Sequence, residues 1–126
     1  MRNEITYLSA SHSPAPVSSA VKAAGFLFCS GQCGYDAEKD SFYGKDIETQ
    51  THGALDNLRK VLTAAGSSLE QVLKVNVYLT DIADFAIVNE IYKTYFPGDK
   101  PARTCLQIAR IPLEAHIEIE AIALCE

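Results

Sequence analysis

Along residues 72–80, VLKVNVYLT, apolar and polar positions alternate: Leu73, Val75, Val77 and Leu79 against Lys74, Asn76, Tyr78 and Thr80. A period of two predicts a strand with one buried face. Near the C-terminus the pattern recurs, with Ile117, Ile119, Ala121 and Ala123 on one face and His116, Glu118 and Glu120 on the other. Just before it, in PARTCLQIARIP, the residues Arg103, Cys105 and Gln107 share a face. If these last two strands pair as a hairpin through a short loop containing Pro112, a cation, a thiol and two carboxylates converge. A strand so apolar on one side is buried there, so its carboxylates need a reason.

Between 47 and 65 the period changes. Ile47, Ala54, Leu55, Leu58, Val61, Leu62 and Ala65 recur at helical spacing, with Asp46 as N-cap and Gly66 as the stop. Ser67 with Glu70 forms a capping box for one further turn. Phe85, Val88, Ile91, Tyr92 and Tyr95 predict a second helix, capped by Asp81 or Asp84 and ended by Pro97-Gly98. Upstream, VSSAVKAAG and FLFCSG predict two strands turning at Ala24-Gly25, and polar residues 34–46 a loop.

The order is β-β-α-β-α-β-β. Right-handed crossovers place both helices on one face of a mixed sheet, a two-layer α+β domain spanning residues 1–126. The other face has no helix to cover it, yet Phe26, Leu27 and Phe28 make a strand apolar on both sides. Such a face predicts association into an oligomer.

Composition narrows the function. The 126 residues carry a formal net charge of −5 without a Lys/Arg cluster, which argues against a nucleic-acid partner. No run of about 18 apolar residues exists to span a membrane, and MRNEITYLSA has no apolar core like a signal peptide's. The cysteines at 29, 33, 105 and 125 match neither a zinc pair nor a disulfide framework, so reduced thiols in the cytoplasm or an organelle matrix are expected. His12, His52 and His116 form no metal triad, and neither metal nor cofactor is expected.

The convergent residues suit a small carboxylate. Arg103 offers a planar fork for two hydrogen bonds, and either Glu118 or Glu120 is placed to activate water. The plainer alternative is a cross-strand ion pair between Arg103 and one of the two acids. Cys105 lacks a histidine base, which favours a supporting role over covalent catalysis. Ser30-Gly31-Gln32 ends an apolar strand, where glycine permits close backbone approach by a ligand or simply a turn.

PARTCLQIARIP followed by IEIEAIA, with SGQ at 30–32 and the stretch ALDNLRKVLTAAGSSLEQVLKVNVYLTDIADFAIVNEIYKTYFP, resembles the Rid (YjgF or L-PSP) family of reactive-intermediate deaminases. That resemblance implies a chorismate-mutase-like fold, a homotrimer whose sheets form a central barrel, and ligand sites between subunits. It implies hydrolysis of 2-imino acids such as 2-iminopropanoate and 2-iminobutanoate to 2-oxo acids and ammonia. Arg103 would bind the substrate carboxylate and Glu118 would position the attacking water. Cys105, the Gly31 backbone and Ser30 would contact the ligand, and Glu120 would serve structure. The family's Gly-Pro-Tyr is Ala15-Pro16-Val17 here, so Val17 lines the site without a tyrosine hydroxyl; its aliphatic-proline pair after SGQ is Cys33-Gly34. The same resemblance leaves two rival activities, a non-catalytic ligand-binding regulator and an endoribonuclease on single-stranded RNA.

Overall fold

The computed structural model describes residues 4–10 and 15–126; His12 and its neighbours lie outside the described residues. Among the described residues eight strands and two α-helices follow in the order β1 (Ile5–Ser9), β2 (Ser18–Ala23), β3 (Phe26–Gln32), β4 (Tyr35–Asp36), β5 (Ser41–Phe42), α1 (Ile47–Ala64), β6 (Val72–Leu79), α2 (Phe85–Tyr95), β7 (Ala102–Gln107) and β8 (Ile117–Leu124). The expected core order stands, with β1 and the small β4–β5 hairpin added to it. β1 escapes a sequence reading because its residues are mostly exposed and carry no clear alternation.

The main sheet runs β1-β2-β3-β8-β6-β7. All pairings are antiparallel except β6 with β7. β3 and β6 both run antiparallel to β8 and so point the same way, which requires a crossover between them; α1 provides it, and α2 links the parallel pair β6 and β7. The predicted terminal hairpin is therefore incorrect. β8 lies between β3 and β6, while β7 pairs with β6 and makes no ladder with β8. The long connection from 108 to 116, with Leu113 and Glu114 at positive φ, carries the chain across the sheet instead of folding it back.

The core lies between the sheet and the helices. Leu27 and Cys29 of β3, Val75, Val77 and Leu79 of β6, and Ile117, Ile119, Ala121 and Ala123 of β8 meet Leu55, Leu58 and Leu62 of α1 and Val88 and Tyr92 of α2. Each fully buried leucine contributes about 1.5–3 kcal/mol. α1 starts where Asp46 accepts a hydrogen bond from Thr49 N at 2.9 Å, and ends before Gly66 at φ +87°. Asp81 caps the short turn before α2 by accepting from Ala83 N at 2.9 Å, whereas Asp84 makes no side-chain cap.

Two local expectations are corrected. Ser67 does not close a capping box; its hydroxyl donates to Leu124 O at 2.7 Å and ties the turn to β8. Leu73 is not in the core, because a register shift between Val72 and Lys74 turns Val72 inward and leaves Leu73 41 % exposed. On the face without helices, Phe26, Phe28 and Leu124 are likewise exposed.

Candidate functional site

β7 is the outermost strand beside β6, and its ladder sets Arg103 beside Val75 and Cys105 beside Val77. Val75 and Val77 point into the core, so Arg103 and Cys105 face the helix layer. There α2 receives the guanidinium. Asn89 Oδ1 accepts from Arg103 Nη1 at 2.7 Å, and the Arg103 guanidinium carbon lies 4.7 Å from the Tyr92 ring centroid and 5.5 Å from that of Phe85. An amide and two aromatic faces orient the fork without neutralising it. Burial pushes the Cys105 thiol up, and the smaller pull of Arg103 does not reverse this. A protonated thiol here can line a site but is a poor nucleophile.

Glu118 and Glu120 stand on the opposite face. Their neighbours Ile117, Ile119 and Ala121 fill the core side of β8, leaving the acids half-buried on the open side. The expected convergence of Arg103 with these carboxylates within one chain is therefore incorrect, as is the Arg103–Glu118 or Arg103–Glu120 ion pair. Among the described residues the salt bridges are Arg59–Asp56, Lys93–Glu90 and Arg110–Glu114. The cause is the sheet order: with β8 in the middle and β7 at the edge, residues that alternate correctly along each strand still present opposite faces.

What does meet Glu118 is Gly31. A Cβ on Gly31 would lie 2.7 Å from Glu118 Cδ and would overlap its carboxylate, so glycine is required for this approach. Ser30, next to it, donates from its hydroxyl to Ser18 O at 2.6 Å. Burial first, then the charge of Glu120, raises the Glu118 carboxyl above the usual carboxylate range. Among the described residues no side chain donates a hydrogen bond to Glu118, so its oxygens are open to solvent or ligand. Cys33 lies near enough for the Glu118 charge to add to the effect of burial in raising its thiol. Asn57 on α1 secures this segment, donating at 2.9 Å to both Cys33 O and Tyr35 O, and Gly34 lets it lie against the α1 backbone at Gln50. Val17 is 53 % exposed just before β2.

The structure thus sets two groups apart: the Arg103 guanidinium with Cys105 on the helix face, and Glu118 with Gly31 on the open face. A hollow of about 210 Å³ on the open face is lined by Phe28, Lys74, Asn76 and Glu120 but includes neither Arg103 nor Glu118. Sequence reasoning missed the α2 cradle. Its signal was present, since Phe85, Asn89 and Tyr92 fall at i, i+4 and i+7 and put one amide on an otherwise apolar stripe.

The described residues thus make a two-layer α+β domain with an arginine oriented by α2 and a separate, open carboxylate on the other face of the sheet. The sequence matches the family described as Endoribonuclease L-PSP over residues 8–125. A RutC family protein of Pyrococcus horikoshii is 47 % identical over 111 residues, covering 88 % of each chain. The mouse 2-iminobutanoate/2-iminopropanoate deaminase is 40 % identical over 124 residues, 98 % of this chain and 92 % of its own. Among solved structures, the yeast protein YEO7 superposes with a TM-score of 0.91 at 36 % identity, over 98 % of this chain and 100 % of its own. Escherichia coli TdcF with bound serine gives 0.85 at 33 % identity, over 90 % and 91 %. The chain belongs to the Rid (YjgF/L-PSP) family, and its fold is the α+β fold of that family.

Proposed function

We propose that this protein hydrolyses 2-imino acids to 2-oxo acids and ammonia. The observation that carries the reading is a pair of groups left unspent among the described residues: a guanidinium oriented by Asn89, Tyr92 and Phe85 with no carboxylate on it, and a half-buried Glu118 with no side-chain donor on it. A ligand-binding regulator needs the first and has no use for the second. Arg103 holds the substrate carboxylate through two parallel hydrogen bonds. Glu118 accepts a proton from water as its oxygen bonds to the imine carbon, and the C=N electron pair moves to nitrogen. Proton return from Glu118 to nitrogen gives the carbinolamine; Glu118 then takes the hydroxyl proton and passes it to the same nitrogen, so that the C–N bond breaks with ammonia leaving as the carbonyl forms. Cys105, Ser30, Val17 and the Gly31 backbone border the ligand.

Since Arg103 and Glu118 occupy opposite faces of one sheet, one chain does not close this site. We infer that it is completed between copies in a homotrimer, in which the open face bearing Phe26, Phe28 and Leu124 is covered. The placement of the two groups on opposite faces and the exposed apolar face support that assembly. The name of the mouse deaminase and the serine bound to TdcF support a small amino- or imino-acid ligand. The net charge of −5 counts against an RNA substrate. No helix among the described residues is long and apolar enough to cross a membrane, and the four free thiols suit a reducing cytoplasm or organelle matrix.

The test is keto-acid and ammonia release from freshly generated 2-iminopropanoate and 2-iminobutanoate. Wild type should accelerate both. Arg103→Ala, losing charged hydrogen bonds of about 1.5–3 kcal/mol each, should drop kcat/KM by roughly 100-fold, and Arg103→Lys should recover little of it. Ligand binding without acceleration by wild type would favour the regulatory reading instead.

A further inference from the structure

The open face carries a polar cluster that the proposed reaction does not use. In the β6–β8 ladder Tyr78 stands opposite Glu118 and Asn76 opposite Glu120. The Tyr78 hydroxyl reaches diagonally and donates to Glu120 Oε1 at 2.8 Å, and Asn76 Nδ2 donates to the same oxygen at 3.2 Å. Two donors from one strand therefore fix a carboxylate whose neighbour along the strand, about 7 Å away on the same face, is the undonated Glu118. A glutamate whose task is only to fill a polar gap has no need to stand fixed beside a second, free carboxylate, where like charges oppose each other.

We propose that Glu120, fixed by Tyr78 and Asn76, is a positioning residue for the reaction: a stationary anion whose field governs when Glu118 takes up and releases the proton of the attacking water. The proposal rests on the role given to Glu118 under Proposed function. Its physical basis is that an adjacent anion makes a carboxylate more basic, and a base closer in strength to the working pH accepts a water proton more readily. Burial and the Glu120 charge both act on Glu118 in that direction.

Within one chain, the other groups near Glu118 do not replace this effect. Lys74 stands opposite Ile122, and its Nζ donates to Thr104 Oγ1 at 3.0 Å. Tyr78, whose hydroxyl is pushed up chiefly by its hydrogen bond to Glu120, is neutral. On the β3 side Gly31 brings only backbone, and the Cys33 thiol is raised by burial and by Glu118 itself. His116, exposed ahead of β8, engages Gln50 through its backbone N–H, which donates to Oε1 at 2.9 Å. Glu120 is thus the one fixed anion beside Glu118 among the described residues.

The experiment is a carbon-13 NMR titration of the Glu118 carboxyl in the whole protein, run beside the pH dependence of kcat/KM on 2-iminopropanoate. Glu118 acts as a base only when ionised, so activity falls as pH drops through its titration midpoint. Removing the neighbouring charge favours ionisation, so Glu120→Gln should lower the midpoint and carry the acid limb of the rate profile down with it. On that limb the variant's rate, relative to its own plateau, should exceed wild type's by roughly twofold or more. Tyr78→Phe keeps the ring and removes one donor; it should move both readouts the same way by less. A purely structural role would change Tm and leave the midpoint where it was. An unchanged or raised midpoint in Glu120→Gln overturns the proposal, and so does a lowered midpoint with an unmoved acid limb. A midpoint unmoved in folded Tyr78→Phe removes Tyr78 from it. If wild type shows no imine turnover, the reading under Proposed function fails on that result, while the midpoints still decide whether Glu120 acts on Glu118.

Discussion

Gly31→Ala tests the approach of β3 to Glu118 most directly. A built Cβ would stand 2.7 Å from Glu118 Cδ and 3.0 Å from Cγ, whereas ordinary contact begins near 3.4 Å. Gly31 is not among the positive-φ positions, so the backbone accepts alanine, and the three atoms nearest the added Cβ all belong to the Glu118 side chain, which must yield. That chain ends in a flexible carboxylate held by no side-chain hydrogen bond among the described residues, and it can retreat by about 1 Å at small cost. Alanine in a strand gains about 0.5–1 kcal/mol over glycine, which offsets the rearrangement, so Tm should stay within about 5 °C of wild type. Catalysis is less tolerant, since a misplacement of about 1 Å can cost roughly 100-fold in rate. The assay is 2-oxo acid release from 2-iminopropanoate at matched folded concentration, with a melting curve on the same samples. A folded variant working within twofold of wild type would refute the argument that Gly31 keeps space for Glu118.

The proposed trimer and the proposed site carry two further predictions. Phe28→Asp places a charge on the open face, where Phe28 is 46 % exposed in one chain; light scattering should fall from about three chain masses to one, with turnover lost. A fully active monomer would sink both the trimer and the shared site. If Val17 borders the proposed site, Val17→Tyr adds a ring and hydroxyl beside the ligand and should raise turnover on small imines or shrink the accepted substrate size. Unchanged kinetics across small and bulky imines would mean that residue 17 does not reach the substrate.

Local order was legible in the chain, and non-local order was not. The period-two alternation of β6 and β8 identified the buried faces, apart from the slip at Leu73. The spacing of Leu55, Leu58 and Leu62 identified α1, and Asp46 and Gly66 marked its ends, because each of these effects acts within a few residues. The shared face of Arg103 and Cys105 on β7, and of Glu118 and Glu120 on β8, followed from the same alternation. Which strand lies beside which depends on edges that meet across dozens of residues, and a run of alternating side chains is equally satisfied by several partners. The tertiary structure alone decided that β8 would sit between β3 and β6 and that β7 would join β6 in parallel. That choice put Arg103 under α2 with Asn89 and left Glu118 on the open face against Gly31, so that the two groups stand on opposite faces of one sheet.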